Sequence, residues 1–127
     1  MEEVIKIKGG KKLSGVVNIS GSKNNCVSLI PAALLSRGLV VIHNIPPISD
    51  VYRLVDILEQ CGVCITYTDN TLIIDSSNLV YKDLTMPEMG KLRASYYFYS
   101  VFLGLFKYVK ANTIGGCRLG DRPIDLH

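Results

Sequence analysis

Between residues 23 and 75 the spacing of apolar side chains switches between the helical and the extended period, and that alternation limits the chain more than any single residue does. Val27, Ile30 and Leu34 recur at spacings of three and four, which predicts a helix over 23–36 that ends at Arg37-Gly38. Pro31 lies inside it, deletes one backbone hydrogen bond and is expected to kink it. Residues 39–43 read as a short apolar strand. Val51, Leu54, Val55 and Leu58 then fall at i, i+3, i+4 and i+7, so a second helix follows the turn Pro46-Pro47-Ile48-Ser49-Asp50 and stops at Gly62. That turn is expected to supply the helix's capping residue. Residues 63–67 and 71–75 are predicted strands around Thr68-Asp69-Asn70, where Asp and Asn tolerate the positive φ of a tight hairpin. The unit is strand, helix, two strands, which places the chain in the α/β class.

The flanks are less regular. Residues 4–8 and 13–20 alternate apolar and polar side chains on either side of Gly9-Gly10-Lys11-Lys12 and predict a hairpin or two short extended pieces. A third helix is predicted over 87–106, with Pro87 in its first turn and an apolar surface of Leu92, Tyr96, Tyr99 and Leu103. Residues 109–114 look extended and lead to a glycine-rich polar loop, Gly115 through Pro123. Gly115-Gly116-x-x-Leu119-Gly120 faintly echoes Gly9-Gly10-x-x-Leu13-x-Gly15, a trace of an internal repeat.

The 127 residues, 48% of them hydrophobic, suit one domain with a substantial core. Fourteen basic residues against eleven acidic ones leave +3, spread along the chain without a block, so nucleic acid is not an expected partner. The acidic start Met1-Glu2-Glu3 does not resemble a secretory leader, and no apolar run approaches the roughly 20 residues of a membrane-crossing helix. A cytoplasmic protein with reduced thiols is expected, with no membrane partner. Cys61-Gly62-Val63-Cys64 closes a helix instead of opening one, so the dipole does not lower the thiol pKa as a redox pair needs. Only His43 and His127 remain to complete a zinc site, and two packed thiols are the simpler reading.

Three places could carry chemistry. Gly21-Ser22-Lys23-Asn24 opens a helix whose free backbone N–H groups and positive dipole end favour an anion. A lysine there opposes the dipole unless a negative ligand offsets it. The alternative is a solvated lysine beside a capping serine, and the longer Gly-rich Walker loop is absent. Cys117, between glycines and close to Arg118 and Arg122, sits where a thiolate would be stabilised and could act as nucleophile or proton donor. It is otherwise an exposed thiol on a loop. Lys91 and Arg93 read from spacing alone as a charged outer face, although Ala94 and Ser95 leave room for something to approach.

Three motifs stand in order: Ile19-Ser20-Gly21-Ser22-Lys23-Asn24, Leu92-Arg93-Ala94-Ser95, and Gly115-Gly116-Cys117 followed by Gly120-x-Arg122-Pro123-Ile124-Asp125-Leu126-His127. Together they resemble the enolpyruvyl transferase family across the whole chain. The Gly-Gly-Cys loop favours the branch that acts on UDP-N-acetylglucosamine over the branch that acts on shikimate phosphate. The resemblance implies a partial inside-out α/β barrel, with helices alternating with short strands. It implies transfer of enolpyruvyl from phosphoenolpyruvate to the sugar 3-hydroxyl, the opening step of peptidoglycan synthesis, with no metal or cofactor. Cys117 would be the proton donor, able to form an adduct with phosphoenolpyruvate and open to alkylation by fosfomycin. Lys23, Asn24 and Arg122 would hold phosphoenolpyruvate at the reacting centre. Arg93 and the run Arg122, Pro123, Ile124, Asp125 and Leu126 would bind UDP-N-acetylglucosamine. Arg118 departs from the uncharged residue of the family pattern, which bears on the tuning of the thiol. Family members are several times longer, so residues 1–127 are expected to be a single truncated unit. Residues 1–20 would pack with a second domain, residues 21–127 would begin the catalytic domain, and the chain alone would be inactive. The alternative is a noncatalytic anion-binding or self-associating α/β module.

Overall fold

Asp69 and Asn70, with φ of 47° and 55°, make a two-residue turn with positive φ at both positions, the kind whose twist matches the strands it joins. It joins two strands of a computed structural model that describes residues 3–112. In chain order the elements are α1 (Lys23–Ala33), which tightens into a 3-10 turn (Leu34–Ser36), then β1 (Leu39–Ile42), α2 (Ser49–Gln60), β2 (Cys64–Thr68) and β3 (Thr71–Asp75). After these come α3 (Pro87–Lys91), a second 3-10 turn (Arg93–Tyr96) and α4 (Tyr97–Phe106).

The sheet has the order β1-β3-β2, and β3 is antiparallel to both neighbours. β1 and β2 are therefore parallel, joined by α2 as a crossover, with β3 inserted between them. The register puts Val40, Ile74 and Ile65 in one row and Ile42, Leu72 and Tyr67 in the next. Both rows face the core, with Leu72 and Ile74 fully buried. This alternation of buried and open positions is the period of two that the strands were read from. On α2 the predicted stripe is the buried one, with Val51, Leu54 and Leu58 at 0% exposure and Ile57 beside them. Gly62, at φ 82°, ends that helix. On α1, Cys26, Val27, Ile30 and Ala33 are buried, Pro31 is accommodated inside the helix, and Arg37 takes the left-handed conformation after the 3-10 turn. The mixed helix and strand content is the expected α/β class.

Three sequence expectations differ from the structure. The predicted helix over 87–106 is broken. Leu92 is extended, at φ −128° and ψ 117°, and Ser95 turns inward to donate its Oγ to the Met89 carbonyl at 2.8 Å. The helical phase restarts at Tyr97, so α4 buries Phe98, Val101 and Phe102, while Leu103 of the expected surface is 52% exposed. The turn before α2 supplies no side-chain cap. The cap position is Ile48, and Asp50 lies in the first turn with other partners. Residues 4–8 and 13–20 pair with no strand among the described residues, and seven of their apolar side chains, from Val4 to Ile19, are 79–95% exposed. An apolar alternation specifies a surface to be covered but does not itself name the cover. In the segment 109–114, expected to be extended, Ala111 forms an isolated parallel bridge with Leu84, and residues 113–114 lie outside the described residues. The Leu84 and Asn112 amides complete it, donating to Lys110 and Leu84 at 2.7 and 3.2 Å.

Candidate functional site

The position of the α1 N-terminus is set by a chain of contacts that begins at the hairpin turn. The Ile45 amide donates to the Asn70 carbonyl at 2.8 Å, and the Tyr67 hydroxyl donates to the Ile45 carbonyl at 2.9 Å. This fixes Asn44, itself at φ 59°, so that its Oδ1 accepts the Gly21 amide at 3.1 Å. The backbones are so close there that a Cβ on Gly21 would lie 1.9 Å from the Asn44 carbonyl oxygen. Glycine is the residue that lets the chain enter α1 at this point.

α1 then opens with Lys23, Asn24 and Asn25, with no acidic residue in its first turn and no side-chain hydrogen bond from its cap residue Ser22. Its first-turn amides carry the positive end of the helix dipole, and Lys23 adds a full charge to it. The opposing charge comes from α2. Lys23 Nζ lies 2.5 Å from Asp50 Oδ2, and Arg53 Nη1 lies 3.5 Å from Asp50 Oδ1. The Asp50 side chain is only 10% exposed, and each of its oxygens faces one of these cations.

These residues form one wall of a cavity of about 480 Å³. Lys23, Asn24 and Val27 line it from α1, Asp50 and Arg53 from α2, and the broken segment contributes Lys91 through Ala94 with Tyr96 and Tyr97. Four cationic side chains thus meet one carboxylate around a single hollow, an arrangement that attracts an anion with more than one charge. Lys91 and Arg93, on either side of the break at Leu92, both line the cavity and are not simply an outer face. Tyr96 and Tyr97 close the site with stacked rings, centroids 4.4 Å apart. The hydrogen bond between Tyr96 and Tyr97, aided by burial, holds the Tyr96 phenol above its ordinary range, with the Arg93 charge acting the other way.

Of the residues singled out in the sequence, Lys23 and Asn24 of α1 are brought together with Arg93 of the second 3-10 turn. Cys117, Arg122, Pro123, Ile124, Asp125 and Leu126 lie outside the described residues. Asp50, Arg53, Lys91, Tyr96 and Tyr97 also line the cavity and were not anticipated as site residues. The sequence carried one usable signal for two of them, the i,i+3 pairing of Asp50 with Arg53 on α2. Ser95, read as leaving room for a ligand, is fully buried and already bonded to Met89.

The thiols of the C-x-x-C motif do not behave as a pair. Cys61 is buried, and burial pushes its thiol up to about 11, the charge of Lys82 opposing only in part. Cys64 is free and exposed, which corrects the expectation of two packed thiols, because β2 directs it to the open face of the sheet. Among the described residues no cluster of His, Cys, Asp and Glu could hold a metal ion, and no helix is long and apolar enough to cross a membrane.

Comparison with known proteins places these features in context. The family described as EPSP synthase (3-phosphoshikimate 1-carboxyvinyltransferase) matches residues 7–127. All 127 residues align at 47% identity with UDP-N-acetylglucosamine 1-carboxyvinyltransferase 2 of Listeria monocytogenes, of which they cover 30%. The protein of the same name from Streptococcus pyogenes serotype M1 is 46% identical over 129 aligned positions, again 30% of its length. Among solved structures, the enolpyruvyl transferase NikO from Streptomyces tendae superposes with a TM-score of 0.67 at 28% identity, over 76% of this chain and 23% of that one. The chain thus spans about 30% of the length of the relatives it matches in sequence.

Proposed function

The chain belongs to the EPSP synthase family, and on that premise we propose that it supplies the phosphoenolpyruvate-gripping part of an enolpyruvyl transferase that acts on UDP-N-acetylglucosamine. The observation that carries the reading is the meeting of Lys23, Asn24 and Arg93 at one cavity. Phosphoenolpyruvate brings a phosphate and a carboxylate on a three-carbon frame, and several cations beside a helix N-terminus suit that charge.

In the proposed reaction the 3-hydroxyl oxygen of the sugar bonds to C2 of phosphoenolpyruvate and gives its proton to a base carried by the rest of the enzyme, while C3 takes a proton from the Cys117 thiol. The resulting tetrahedral intermediate loses inorganic phosphate and a proton from C3, which restores the double bond. Lys23 and Arg122 neutralise the phosphate and carboxylate. Asn24 orients the reacting carbon, so the enzyme's contribution is largely positioning and charge. Arg93 and the run Arg122, Pro123, Ile124, Asp125 and Leu126 hold the sugar nucleotide. The same reading makes Cys117 the site of a phosphoenolpyruvate adduct and of alkylation by fosfomycin. It assigns the reaction to the cytoplasm at the start of peptidoglycan synthesis, hence to cell shape and division. Residues 1–20 belong with a second domain, consistent with their exposed apolar side chains. The remaining 70% of a relative's length supplies the other half of the site and completes the inside-out barrel.

Titration of the 127-residue chain with phosphoenolpyruvate and with UDP-N-acetylglucosamine tests this. Saturable binding is expected, weakened at least about tenfold by Lys23→Ala for the first ligand and by Arg93→Ala for the second. Phosphate release on mixing both ligands is expected to stay at background, and release above it would show that no further chain is needed. The cationic cavity also favours a second reading, a noncatalytic anion-binding module. Binding of inorganic phosphate with none of the sugar nucleotide would select it.

A further inference from the structure

Asp50 gives its two oxygens to cations from different places. Oδ2 meets Lys23, which reaches across from α1, and Oδ1 meets Arg53, one turn further along the helix that carries Asp50 itself. The second pair is internal to α2 and survives whatever α1 does. The first depends on a side chain that is 60% exposed and free to swing into the cavity.

From this geometry we propose that Arg53 is a positioning residue, which holds Asp50 so that the Lys23 ammonium can be lent to an anion in the cavity. The inference rests on the reading that the cavity takes an anion, and it concerns how that site is kept ready. A buried carboxylate stripped of its only counterion is costly, so an Asp50 with Lys23 as sole partner would lock the ammonium in place. Arg53 removes that obstacle. The first turn of α2 helps, because Asp50 also sits at the positive end of its helix dipole. Lys23 is then the one support of the carboxylate that can leave without stranding the charge. Arg53 lines the same cavity, so the competing arrangement is direct contact between its guanidinium and the anion.

A cycle of variants in the full 127-residue chain separates the two. The first readout needs no ligand: the rate at which N-hydroxysuccinimidyl acetate acylates Lys23, followed by mass spectrometry. Arg53→Gln is expected to slow it about threefold, since Asp50 then clings to the lysine, and Arg53→Lys to restore it. Asp50→Asn is expected to speed acylation and to erase the effect of Arg53→Gln. The second readout is affinity for phosphoenolpyruvate, expected to fall about threefold in Arg53→Gln and to be insensitive to that change once Asp50 is Asn. Equal weakening in both backgrounds would mean that Arg53 touches the anion itself and would overturn the proposal. So would an Arg53→Gln chain with unchanged Lys23 acylation. If the acylation pattern holds while neither phosphoenolpyruvate nor inorganic phosphate binds, the functional reading of the cavity fails and the shared carboxylate stands. Arg53 is 39% exposed, so its replacement leaves the fold in place, and a thermal melt of each variant verifies this.

Discussion

α1 and α2 begin side by side, and neither has a side-chain cap, yet their first turns are built in opposite ways. α2 opens with Asp50, the charge that its dipole prefers, and pairs it internally with Arg53. α1 opens with Lys23 and two asparagines and carries no acid in its first turn. The start of α2 is electrostatically complete within its own helix, whereas the start of α1 borrows its compensation from the neighbour. A helix end that is short of negative charge, faces a cavity and is held by a close glycine contact is suited to an incoming anion. The lesson is one of division of labour: α2 keeps the balance so that α1 can remain in deficit.

The contrast depends first on the two helices being packed together, and breaking that packing has the largest expected effect. Ile30 of α1 and Leu54 of α2 are fully buried in the same core. Leu54→Ala is expected to cost about 2–5 kcal/mol in urea unfolding and to weaken anion binding as the two first turns lose their alignment. A cost under about 1 kcal/mol would mean that the helix starts are held by something other than this core.

The next largest effect is expected at the entry to α1. Gly21→Ala forces a Cβ against the Asn44 carbonyl oxygen, and one of the two backbones must move. We expect a loss of about 1–3 kcal/mol, with the fall in phosphoenolpyruvate affinity larger than the same loss of stability produces elsewhere in the core. Ser22→Ala is the matched control, because Ser22 makes no side-chain cap bond and its removal should change stability little. If the two substitutions behave alike, the close approach at Gly21 is not what sets the site.

Much of this frame was legible in the sequence because it rests on local rules. The Asp69-Asn70 turn, the stripe Val51-Leu54-Leu58 and the stop at Gly62 each follow from residues within one or two turns of chain. The break at Leu92 was not legible. Residues 87–106 keep a helical period on both sides of it, and what interrupts them is the Ser95 hydroxyl binding the Met89 carbonyl, a choice made by packing. The site divides the same way. Lys23 and Asn24 announce themselves, since a lysine at a helix start asks for a counter-charge. Asp50 instead reads as a cap for its own helix, and only the meeting of α1 with α2 turns it into the partner of Lys23. The N-terminal alternation shows the limit most plainly, for it specifies an apolar face and is silent on its cover.

The smallest effect concerns the thiols, one to each helix, and it sharpens the comparison at the opposite pole. Cys26 lies in the first half of α1 and Cys61 immediately follows α2, both buried. Burial raises both thiols, but a backbone hydrogen bond lowers Cys26 in part, while Cys61, at the negative end of its helix, is pushed up to about 11. An unfolded Cys61 ionises near 9.0, so across the window from 9.0 to about 11 the folded chain holds a proton that the unfolded chain has released. Stability attributable to this thiol is therefore full below pH 9.0 and falls as pH rises toward 11. Urea midpoints taken between pH 8 and 11 should decline more steeply in the wild-type chain than in Cys61→Ala, with Cys26→Ala flattening the curve less. The slope is the diagnostic quantity, since removing the sulfur also leaves a small cavity that shifts every point together. Equal slopes in all three chains would mean that the two helices bury their thiols in equivalent surroundings, and the asymmetry argued from their first turns would not extend along their length.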